Sequence, residues 1–472
     1  MNHGLDPWAV SRRWFLGRCG FGLGAAALAG LGAPLPGAGA TGTRAPRRRV
    51  RNVIFLFMAG GPSQLELFDW KPELQRRHGE PVPASLLAGK RFAFMDSYFA
   101  RKLSLLGTTR RFARHGERGT WVSELLPCTA RVVDHLAIVR TLQTDVPNHG
   151  PAKAMLNTGF FRYGRPSMGA WVLYGLGSES RDLPGFVVLA SGVRGPRGGA
   201  LNWNSGFLPT VHQGVPFRPG AEPIPYLRRP AEIAADTEAE TVAGIAALNR
   251  ERLAATGDPE IATRIAQYEM AFRMQARAPE LLDLQGESRA VLDLYGVEPG
   301  QPSFAANCLL ARRMVERGVR FVQLYHTNWD SHGGPRENLT TDLERVCHDV
   351  DRGCAALVLD LHARGLLDET LVVWSGEFGR TPIGEPRETV GRNHHVEAGT
   401  FWLAGGGVRP MDLGRTDELG YASVEDPVHV HDLQATILHL LGIDHEQLTF
   451  RHQGREFRLT DVGGRVVGKL LG

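Results

Sequence analysis

Short apolar runs, each ending at glycine or at polar residues, recur along the chain and alternate with segments of helical periodicity. A continuous apolar run of this kind is typical of a strand that is buried on both faces of a parallel sheet. Strands that alternate with helices predict a doubly wound α/β fold, in which helices cover both faces of a mostly parallel sheet. The runs are RNVIFLFMAGG, DHLAIVRTL, PGFVVLASG, GVRFVQLYH, ETLVVWSGEFG and GTFWLAGGG.

The first forty residues have a different character. Arg12 and Arg13 precede a weakly apolar run rich in glycine and alanine, which leads to Ala38-Gly39-Ala40. This is the order of a twin-arginine (Tat) signal peptide with an A-x-A cleavage site. The alternative is a membrane anchor, but a span needs about 20 strongly apolar residues and this run is short and glycine-rich. We therefore predict a signal peptide over residues 1–40, export by the Tat translocase to the periplasm or the extracellular space, and no stable membrane span in the mature protein.

Residues 41–50 and 51–472 complete the predicted organisation. The first range is a basic linker and the second is a single α/β domain. Within the domain, residues at about 230–293 lack strand patterns and are rich in helix formers, which predicts a helical insertion. The chain has a formal net charge of +4, from 54 basic and 50 acidic residues. This near balance gives no reason to predict a nucleic-acid partner.

Four cysteines follow the predicted cleavage site, and none belongs to a C-x-x-C motif: Cys128, Cys308, Cys347 and Cys354. A zinc–thiolate site is therefore not predicted. We interpret these residues as buried apolar side chains, with a disulfide as the alternative.

Carboxylates, imidazoles and an arginine lie next to five of the apolar runs. Ligands of open α/β sheets bind beyond the carboxyl ends of the strands, so residues that follow different strands can meet there. Groups that served only solubility would be scattered over the surface. The candidates, in chain order, are Glu66, Asp69, Asn148, His149, Asp330, His332, Glu377, Arg380, His394 and His395.

Histidine and carboxylate side chains together suit zinc, manganese or iron, whereas sets of oxygen ligands suit calcium or magnesium. We predict a divalent metal site formed by Asp330, His332, Glu377 and one of His394 and His395. Only one of the two adjacent histidines is expected to bind, because neighbours in an extended chain point to opposite sides. The alternative for each residue is an ordinary polar position in a loop, and for Glu377 it is an ion pair with the nearby arginine.

That arginine, Arg380, suits a tetrahedral oxyanion, because a guanidinium can donate two parallel hydrogen bonds. The alternative is a structural ion pair. His429 and His431 alternate within the segment VHVHD, and we interpret them as polar residues at a strand end.

Several of these motifs together resemble the exported protein family known as domain of unknown function 1501. They are FLFMAGGPS, NHGPAKAMLNTG, GRPSMGAWVLYGLGS, DLPGFVVL, GVRFVQLYHTNWDSH, LVVWSGEFGRTP and GRNHH, and they extend over nearly the whole mature chain. The resemblance implies a sulfatase-like branch of the alkaline phosphatase superfamily, with a doubly wound α/β sheet and a metal site at the strand ends.

The resemblance also implies roles for particular residues, and it is incomplete. Hydrolytic relatives have acidic ligands after the first strand, where this chain has Ala59-Gly60-Gly61, so that only Glu66 or Asp69 could substitute. Their hydroxyl or thiol nucleophile corresponds to Asn148 and His149, which are therefore the candidate catalytic residues here.

Later motifs of the relatives are met more closely. Where the relatives have Asp-His-Gly, this chain has Glu377-Phe378-Gly379. The carboxylate is retained, and a phenyl ring replaces the imidazole. Asp330 and His332 match an aspartate with a nearby histidine, and the late histidine is met by His394 or His395. The resemblance implies a site with one metal, for which zinc, manganese and calcium are the alternatives.

Three functions follow from these observations. The first is a metal-dependent hydrolase of sulfate or phosphate esters, with a small-molecule or glycan substrate, in which water attacks or His149 acts as base or nucleophile. The second is a non-catalytic module that binds sulfated or phosphorylated glycans in the same cleft. The third, a purely structural exported protein, does not explain five polar loops at one edge of the sheet.

Overall fold

The computed structural model describes residues 50–87, 103–192, 195–218 and 232–472, together with residues 224, 227 and 229. The predicted signal peptide and residues 41–49 of the predicted linker lie outside the described residues. In the described part of the chain, no helix is long and apolar enough to cross a membrane.

The strands are β1 Asn52–Ala59, β2 Ser104–Leu105, β3 Phe112–His115, β4 Thr120–Ser123, β5 Leu136–Val139, β6 Leu142–Gln143, β7 Phe186–Ser191, β8 Val215–Phe217, β9 Phe321–Thr327, β10 Thr370–Ser375, β11 Gly379–Pro386, β12 Val390–His395, β13 Phe401–Ala404, β14 Met411–Leu413, β15 Arg415–Thr416, β16 Ser423–Glu425, β17 Val428–His429, β18 Phe450–His452 and β19 Arg455–Phe457. The helices are α1 Gln64–Leu67, α2 Pro72–Arg76, α3 Ala84–Leu87, α4 His149–Thr158, α5 Met168–Leu176, α6 Ala235–Thr256, α7 Pro259–Leu282, α8 Arg289–Tyr295, α9 Phe304–Glu316, α10 Thr341–Ala363 and α11 Val430–Leu440.

An eight-stranded sheet forms the centre, in the order β14-β5-β13-β10-β1-β9-β7-β8. Strand β1 lies between β9 and β10 and runs parallel to both, so that Val53 pairs with Phe321 on one side and with Leu371 on the other. Strand β13 runs antiparallel to both of its neighbours, and the remaining pairs are parallel. The predicted mostly parallel sheet is therefore confirmed, with one antiparallel strand inside it.

Alternate residues of β1 enter two separate cores, because successive side chains of a strand point to opposite faces. Ile54, Leu56 and Met58 pack with residues of α7, α8, α9 and α10, whereas Phe55 and Phe57 pack with residues of α4, α5 and α11. Helices therefore cover both faces of the sheet, which confirms the doubly wound α/β fold. This arrangement also explains why the strands read as continuous apolar runs.

Two smaller features bear on the predictions. Helices α6 and α7 pack against each other in the region predicted to be a helical insertion, and Met274 and Ala278 of α7 also join the main core. The four described cysteines are free, and three of them are buried while Cys128 is partly exposed.

Candidate functional site

Four side chains from a loop, the start of a helix and a strand meet beyond the carboxyl ends of the central strands. Asp330 and His332 follow β9, His149 is the first residue of α4, and His394 lies near the end of β12. Each offers one nitrogen or oxygen atom, and these atoms all lie within 4.8 Å of one another. We call these four residues the His/Asp cluster. Their positions follow from the parallel sheet, which brings distant loops to one edge.

Asp330 is in contact with every other member of the cluster. Its Oδ2 lies 3.0 Å from His149 Nε2, and its Oδ1 lies 3.0 Å from His332 Nε2 and 3.6 Å from His394 Nε2. Arg380 Nη2 donates to the same Oδ1 at 2.7 Å. Burial by itself would raise the pKa of Asp330, but the charge of Arg380 and the three imidazole contacts outweigh it and hold that pKa well below its ordinary value.

In all three imidazoles, Nδ1 points away from the cluster and Nε2 points into it. Each Nδ1 faces an acceptor and therefore carries the hydrogen, which leaves Nε2 as the atom with a free lone pair. Outer hydrogen bonds of this kind fix the tautomer of metal-binding histidines. The Nδ1 contacts are 2.7 Å from His149 to Glu377 Oε1, 2.6 Å from His332 to Glu385 Oε1 and 2.5 Å from His394 to Pro147 O.

The donor atoms fit a metal cation better than they fit one another. His332 Nε2 and His394 Nε2 lie 2.8 Å apart, although the Nδ1 atoms of both residues already donate. Burial, reinforced by the nearby charge of Arg380, lowers the pKa of His394 to about 3, so its Nε2 is bare at neutral pH. His149 Nε2 is also buried without a hydrogen bond of acceptable geometry. A cation among the three Nε2 atoms and Asp330 would satisfy all of them.

Glu377 was predicted as a ligand, but its carboxylate contacts His149 Nδ1, the ring nitrogen that faces away from the other members of the cluster. The carboxylate is fully buried, and besides His149 it accepts the Gly60 N–H at 3.1 Å and 3.0 Å through its two oxygens. Burial raises the pKa of Glu377, but the hydrogen bond and charge of His149, the charge of Lys153 and the Gly60 N–H outweigh this and lower it. The structure thus places one imidazole between Glu377 and the centre of the cluster.

Glycines follow β1, at the place where the resemblance described above implies acidic ligands in hydrolytic relatives. Gly60 has a φ of +130°, and a Cβ there would lie 2.6 Å from Asp330 N. A residue with a side chain would push the Asp330 loop away, so the glycine lets the two loops touch. In place of a side-chain ligand, this turn supplies the N–H that holds Glu377.

Arg380, predicted to bind an oxyanion, has other partners. Its side chain is fully buried and donates to Gly61 O at 2.9 Å, to Arg392 O at 3.1 Å and to Gly60 O, in addition to Asp330. Since these acceptors occupy Nε, Nη1 and Nη2, the guanidinium fixes Asp330 and the turn after β1. Arg380 forms its ion pair with Asp330. The sequence analysis had considered an ion pair with Glu377 as the alternative.

Glu66 and Asp69, the predicted substitutes for the missing acidic ligands, lie outside the cluster. Glu66 is buried and pairs with Arg392, whose Nη2 lies 2.7 Å from Glu66 Oε1. Asp69 accepts a hydrogen bond of 2.5 Å from Thr416 Oγ1 and lies 3.1 Å from Lys71 Nζ. Both carboxylates are compensated by partners of their own, so neither enters the ligand set that we propose.

His395 and Asn148 also lie outside the cluster. In β12, His394 pairs with Arg380 of β11 and His395 pairs with Gly379, so the two imidazoles leave the strand on opposite sides. His395 Nε2 contacts Tyr421 O instead. Asn148 is exposed at the N-cap of α4 and makes no capping hydrogen bond with its side chain.

Sequence reasoning did not identify Glu385, Lys153 or the Pro147 carbonyl. No sequence signal marks Glu385 or Pro147, because each acts through a histidine far away in the chain. Lys153 could have been found, since it follows His149 by four residues in a helix and therefore lies on the same face.

A small open pocket adjoins the cluster. Two members of the cluster, His149 and Asp330, belong to its lining. The lining residues are Ala59, Gly60, His149, Lys153, Gly195, Pro196, Arg197, Thr327, Asn328 and Asp330.

Among solved structures, the chain aligns with several at low identity. With a protein of the alkaline phosphatase superfamily from Vibrio parahaemolyticus, the alignment covers 86% of this chain and 70% of that chain, at 9% identity and a TM-score of 0.38. With a sulfatase from Pseudoalteromonas sp., the coverage is 84% and 69%, at 12% identity and a TM-score of 0.34. With a phosphonate monoester hydrolase from Silicibacter pomeroyi, the coverage is 83% and 73%, at 14% identity and a TM-score of 0.33.

No curated protein sequence matches the chain significantly. A family described as "Protein of unknown function (DUF1501)" matches it over residues 50–471, which is almost the whole described domain. The chain therefore belongs to the DUF1501 family.

Proposed function

We propose that this protein is a metal-dependent hydrolase of sulfate or phosphate esters that acts outside the cytoplasm. The observation that carries the proposal is the inward orientation of three Nε2 atoms around Asp330, beside an open pocket. Buried nitrogens that face one another without donors are a metal-binding arrangement rather than a hydrogen-bonded one.

The proposed ligands are His149, Asp330, His332 and His394. Three imidazoles and one carboxylate favour zinc or manganese over calcium, which takes oxygen ligands. A divalent cation held there would supply Lewis acidity, which polarises an ester oxygen and lowers the pKa of water. His149, expected from the sequence to act as base or nucleophile, is in this proposal a ligand.

Residues around the proposed ligands hold the ligand side chains in place. Glu377 and Glu385 orient two imidazoles through Nδ1, and Arg380 holds the Asp330 carboxylate in place. Such outer contacts hold ligands in the binding geometry before the metal arrives, so less ordering is needed on binding. The substrate would approach through the pocket, where His149 and Asp330 form part of the wall.

One experiment tests both metal binding and hydrolysis. Metal content is measured in the purified mature protein, and turnover of aryl sulfates and aryl phosphates is measured with zinc, manganese and calcium. We expect a single equivalent of metal and turnover that is lost on chelation and restored by one of these ions. A well-folded protein that binds none of the ions and hydrolyses neither ester class would contradict the proposal.

The second candidate is a non-catalytic module for sulfated or phosphorylated glycans. It is favoured by Phe378, a buried phenyl ring whose centroid lies 4.5 Å from that of His394 and 5.0 Å from that of His149. A ring that can neither bind a metal nor transfer a proton thus lies against two members of the cluster. Retained binding to such glycans, together with the absence of turnover in the metal-loaded protein, would favour this candidate.

The proposal includes export by the Tat translocase, based on the paired arginines Arg12 and Arg13 and on Ala38-Gly39-Ala40. Replacing both arginines by lysine should retain the precursor in the cytoplasm. N-terminal sequencing of the exported wild-type protein should locate the cleavage after Ala40. Equal export of the double-lysine variant would argue against the Tat route.

A further inference from the structure

Three polar side chains that the proposed metal site does not use lie in the apolar core between α4 and the central sheet. Asn157 belongs to α4, Gln323 and Tyr325 belong to β9, and all three are almost fully buried. Their surroundings include Phe57 and Trp203, whose ring centroids lie 5.0 Å and 5.8 Å from that of Tyr325. Burial of polar groups among such rings is costly unless each group has a hydrogen-bond partner.

One amide group connects the helix to the strand. Asn157 Oδ1 accepts hydrogen bonds from Gln323 Nε2 at 2.7 Å and from the Tyr325 hydroxyl at 3.1 Å. Its Nδ2 donates to Lys153 O, one turn earlier in α4, at 2.8 Å. We call Asn157, Gln323 and Tyr325 the α4–β9 link.

Both elements that are joined by the α4–β9 link supply proposed metal ligands. His149 is the first residue of α4, and Asp330 and His332 follow β9. Asn157 comes eight residues after His149, which corresponds to about 12 Å along a helix axis. Because a helix moves as a unit held by its backbone hydrogen bonds, a shift of α4 at Asn157 would carry His149 with it.

The first turn of α4 offers few contacts that could define its position along the helix axis. Gly150, Pro151 and Ala152 follow His149, and such small side chains form shallow ridges that interlock little with a neighbouring element. The N-cap residue, Asn148, makes no capping hydrogen bond with its side chain. The helix is therefore weakly fixed at the end that carries the ligand.

The opposite end of α4 is held by hydrogen bonds. Besides the α4–β9 link, the fully buried side chain of Gln434 in α11 donates to Met155 O at 2.9 Å and to Leu156 O at 3.0 Å. These carbonyls belong to the last turn of the helix, where no intrahelical donor remains for most of them. Of these contacts, only those of Asn157 reach the strand that leads to Asp330.

We propose that Asn157 is a positioning residue, which sets the position of His149 against Asp330 by fixing α4 to β9. Apolar side chains tolerate small displacements, whereas a hydrogen bond weakens steeply outside a narrow range of distances and angles. A single buried polar residue can fix the register of packed elements in this way. The inference rests on the proposed function for the role of His149 as a metal ligand.

The test measures the zinc affinity of the mature protein by chelator competition and the visible spectrum of its cobalt form, which reports ligand number and geometry. Asn157→Leu removes the α4–β9 link. The triple variant Asn157→Leu, Gln323→Leu, Tyr325→Phe also removes the donors that would be left unpaired. Each variant is made in the wild-type background and in a His149→Ala background, and its melting temperature is recorded.

Asn52→Leu is the matched control. Asn52 is also a buried asparagine in the core of the sheet, and its Nδ2 donates to Val319 O at 2.7 Å. It is the first residue of β1, so it lies at the end of the strand remote from the cluster. Its replacement should lower the melting temperature and leave zinc affinity unchanged.

We expect Asn157→Leu and the triple variant to bind zinc about tenfold more weakly, at the lower end of the loss typical for a contact that orients a ligand. Their cobalt spectra should differ from that of the wild type. The same substitutions should have no effect on zinc affinity in the His149→Ala background, because the ligand through which they act is gone. The triple variant should melt at a higher temperature than Asn157→Leu, since neither donor is left unpaired, while its zinc affinity stays low.

Two results would overturn the inference. One is a triple variant with the zinc affinity and cobalt spectrum of the wild type, and the other is an equal loss of affinity in both backgrounds. If His149→Ala binds too little zinc to measure, the cobalt spectra of the link variants decide. If neither link variant folds, Tyr325→Phe decides by the same measurements, because it removes a single hydroxyl group.

The outcomes separate this inference from the proposed function. Zinc affinity that depends on Asn157 in a protein without turnover would support the positioning role and contradict the hydrolase. Metal-dependent turnover with a zinc affinity that is indifferent to the α4–β9 link would support the hydrolase and overturn the positioning role.

Discussion

Replacement of Glu377 by glutamine tests whether this carboxylate orients a metal ligand rather than binding the metal itself. The side chain accepts hydrogen bonds from His149 Nδ1 at 2.7 Å and from Gly60 N at 3.1 Å and 3.0 Å. Glutamine has nearly the same shape but offers only one acceptor oxygen, and its NH₂ group would face an N–H of one of these partners. The His149 ring would therefore lose a charged partner and part of its orientation.

Loss of such an outer contact typically costs about 10- to 100-fold in metal affinity, or about 1.4–2.7 kcal/mol. We expect Glu377→Gln to retain a single metal equivalent at saturating zinc and to show an affinity lower by this factor. Zinc affinity is measured by competition with a chromophoric chelator. Melting temperatures of the metal-free proteins show whether the variant is folded.

Glu66→Gln is the matched control for this experiment. Glu66 is a buried carboxylate at the same edge of the sheet, but its partner is Arg392 and not an imidazole. Its replacement should reduce stability by about 3–5 kcal/mol, since a buried arginine would lose its counter-charge, and should leave zinc affinity unchanged. The reasoning would be refuted if Glu377→Gln bound zinc like the wild type, or if Glu66→Gln were the variant that lost zinc.

Three further predictions concern the metal centre. His394→Gln should abolish stoichiometric metal binding while His395→Gln retains it, as measured by elemental analysis of the purified variants; equal metal content would contradict the proposed ligand set. Zinc affinity should fall from neutral to mildly acidic pH, because a proton competes with the metal for His149 Nε2. Contacts with Asp330 and Glu377 outweigh burial and raise the pKa of His149. A pH-independent affinity in chelator competition would argue against His149 as a ligand. Chelation should lower the melting temperature, by the equivalent of about 2.7 kcal/mol when free metal exceeds its dissociation constant 100-fold; a melting temperature that does not respond to metal at any concentration would count against a site in the folded state.

Much of the fold was accessible from sequence because its signals are local. A strand that is buried on both faces must be apolar along its length, and RNVIFLFMAGG and GVRFVQLYH show this without reference to any other part of the chain. The observed neighbours β1, β9 and β10 all correspond to apolar runs identified in the sequence. The antiparallel direction of β13 was not predicted, since an apolar run carries no information about its direction.

The edge of the sheet at which polar groups gather was likewise predictable, but the partners of those groups were not. His394 and His395 are equivalent in sequence, and only the pairing of β12 with β11 turns His394 toward Asp330. Glu385 is separated from His332 by 53 residues, and its 2.6 Å contact exists only because a strand returns past the cluster.

The sequence by itself determined the α/β architecture and the set of loops from which a site could be built. Strand burial and helix periodicity can be recognised from residues that are close together in the chain. Only the tertiary structure decided that Glu377 contacts a histidine, that Glu66 neutralises Arg392 and that Arg380 is enclosed by carbonyl groups. The physical reason is that the role of a charged side chain depends on which opposite charge or dipole lies within about 3 Å of it. That distance is set by the packing of segments hundreds of residues apart.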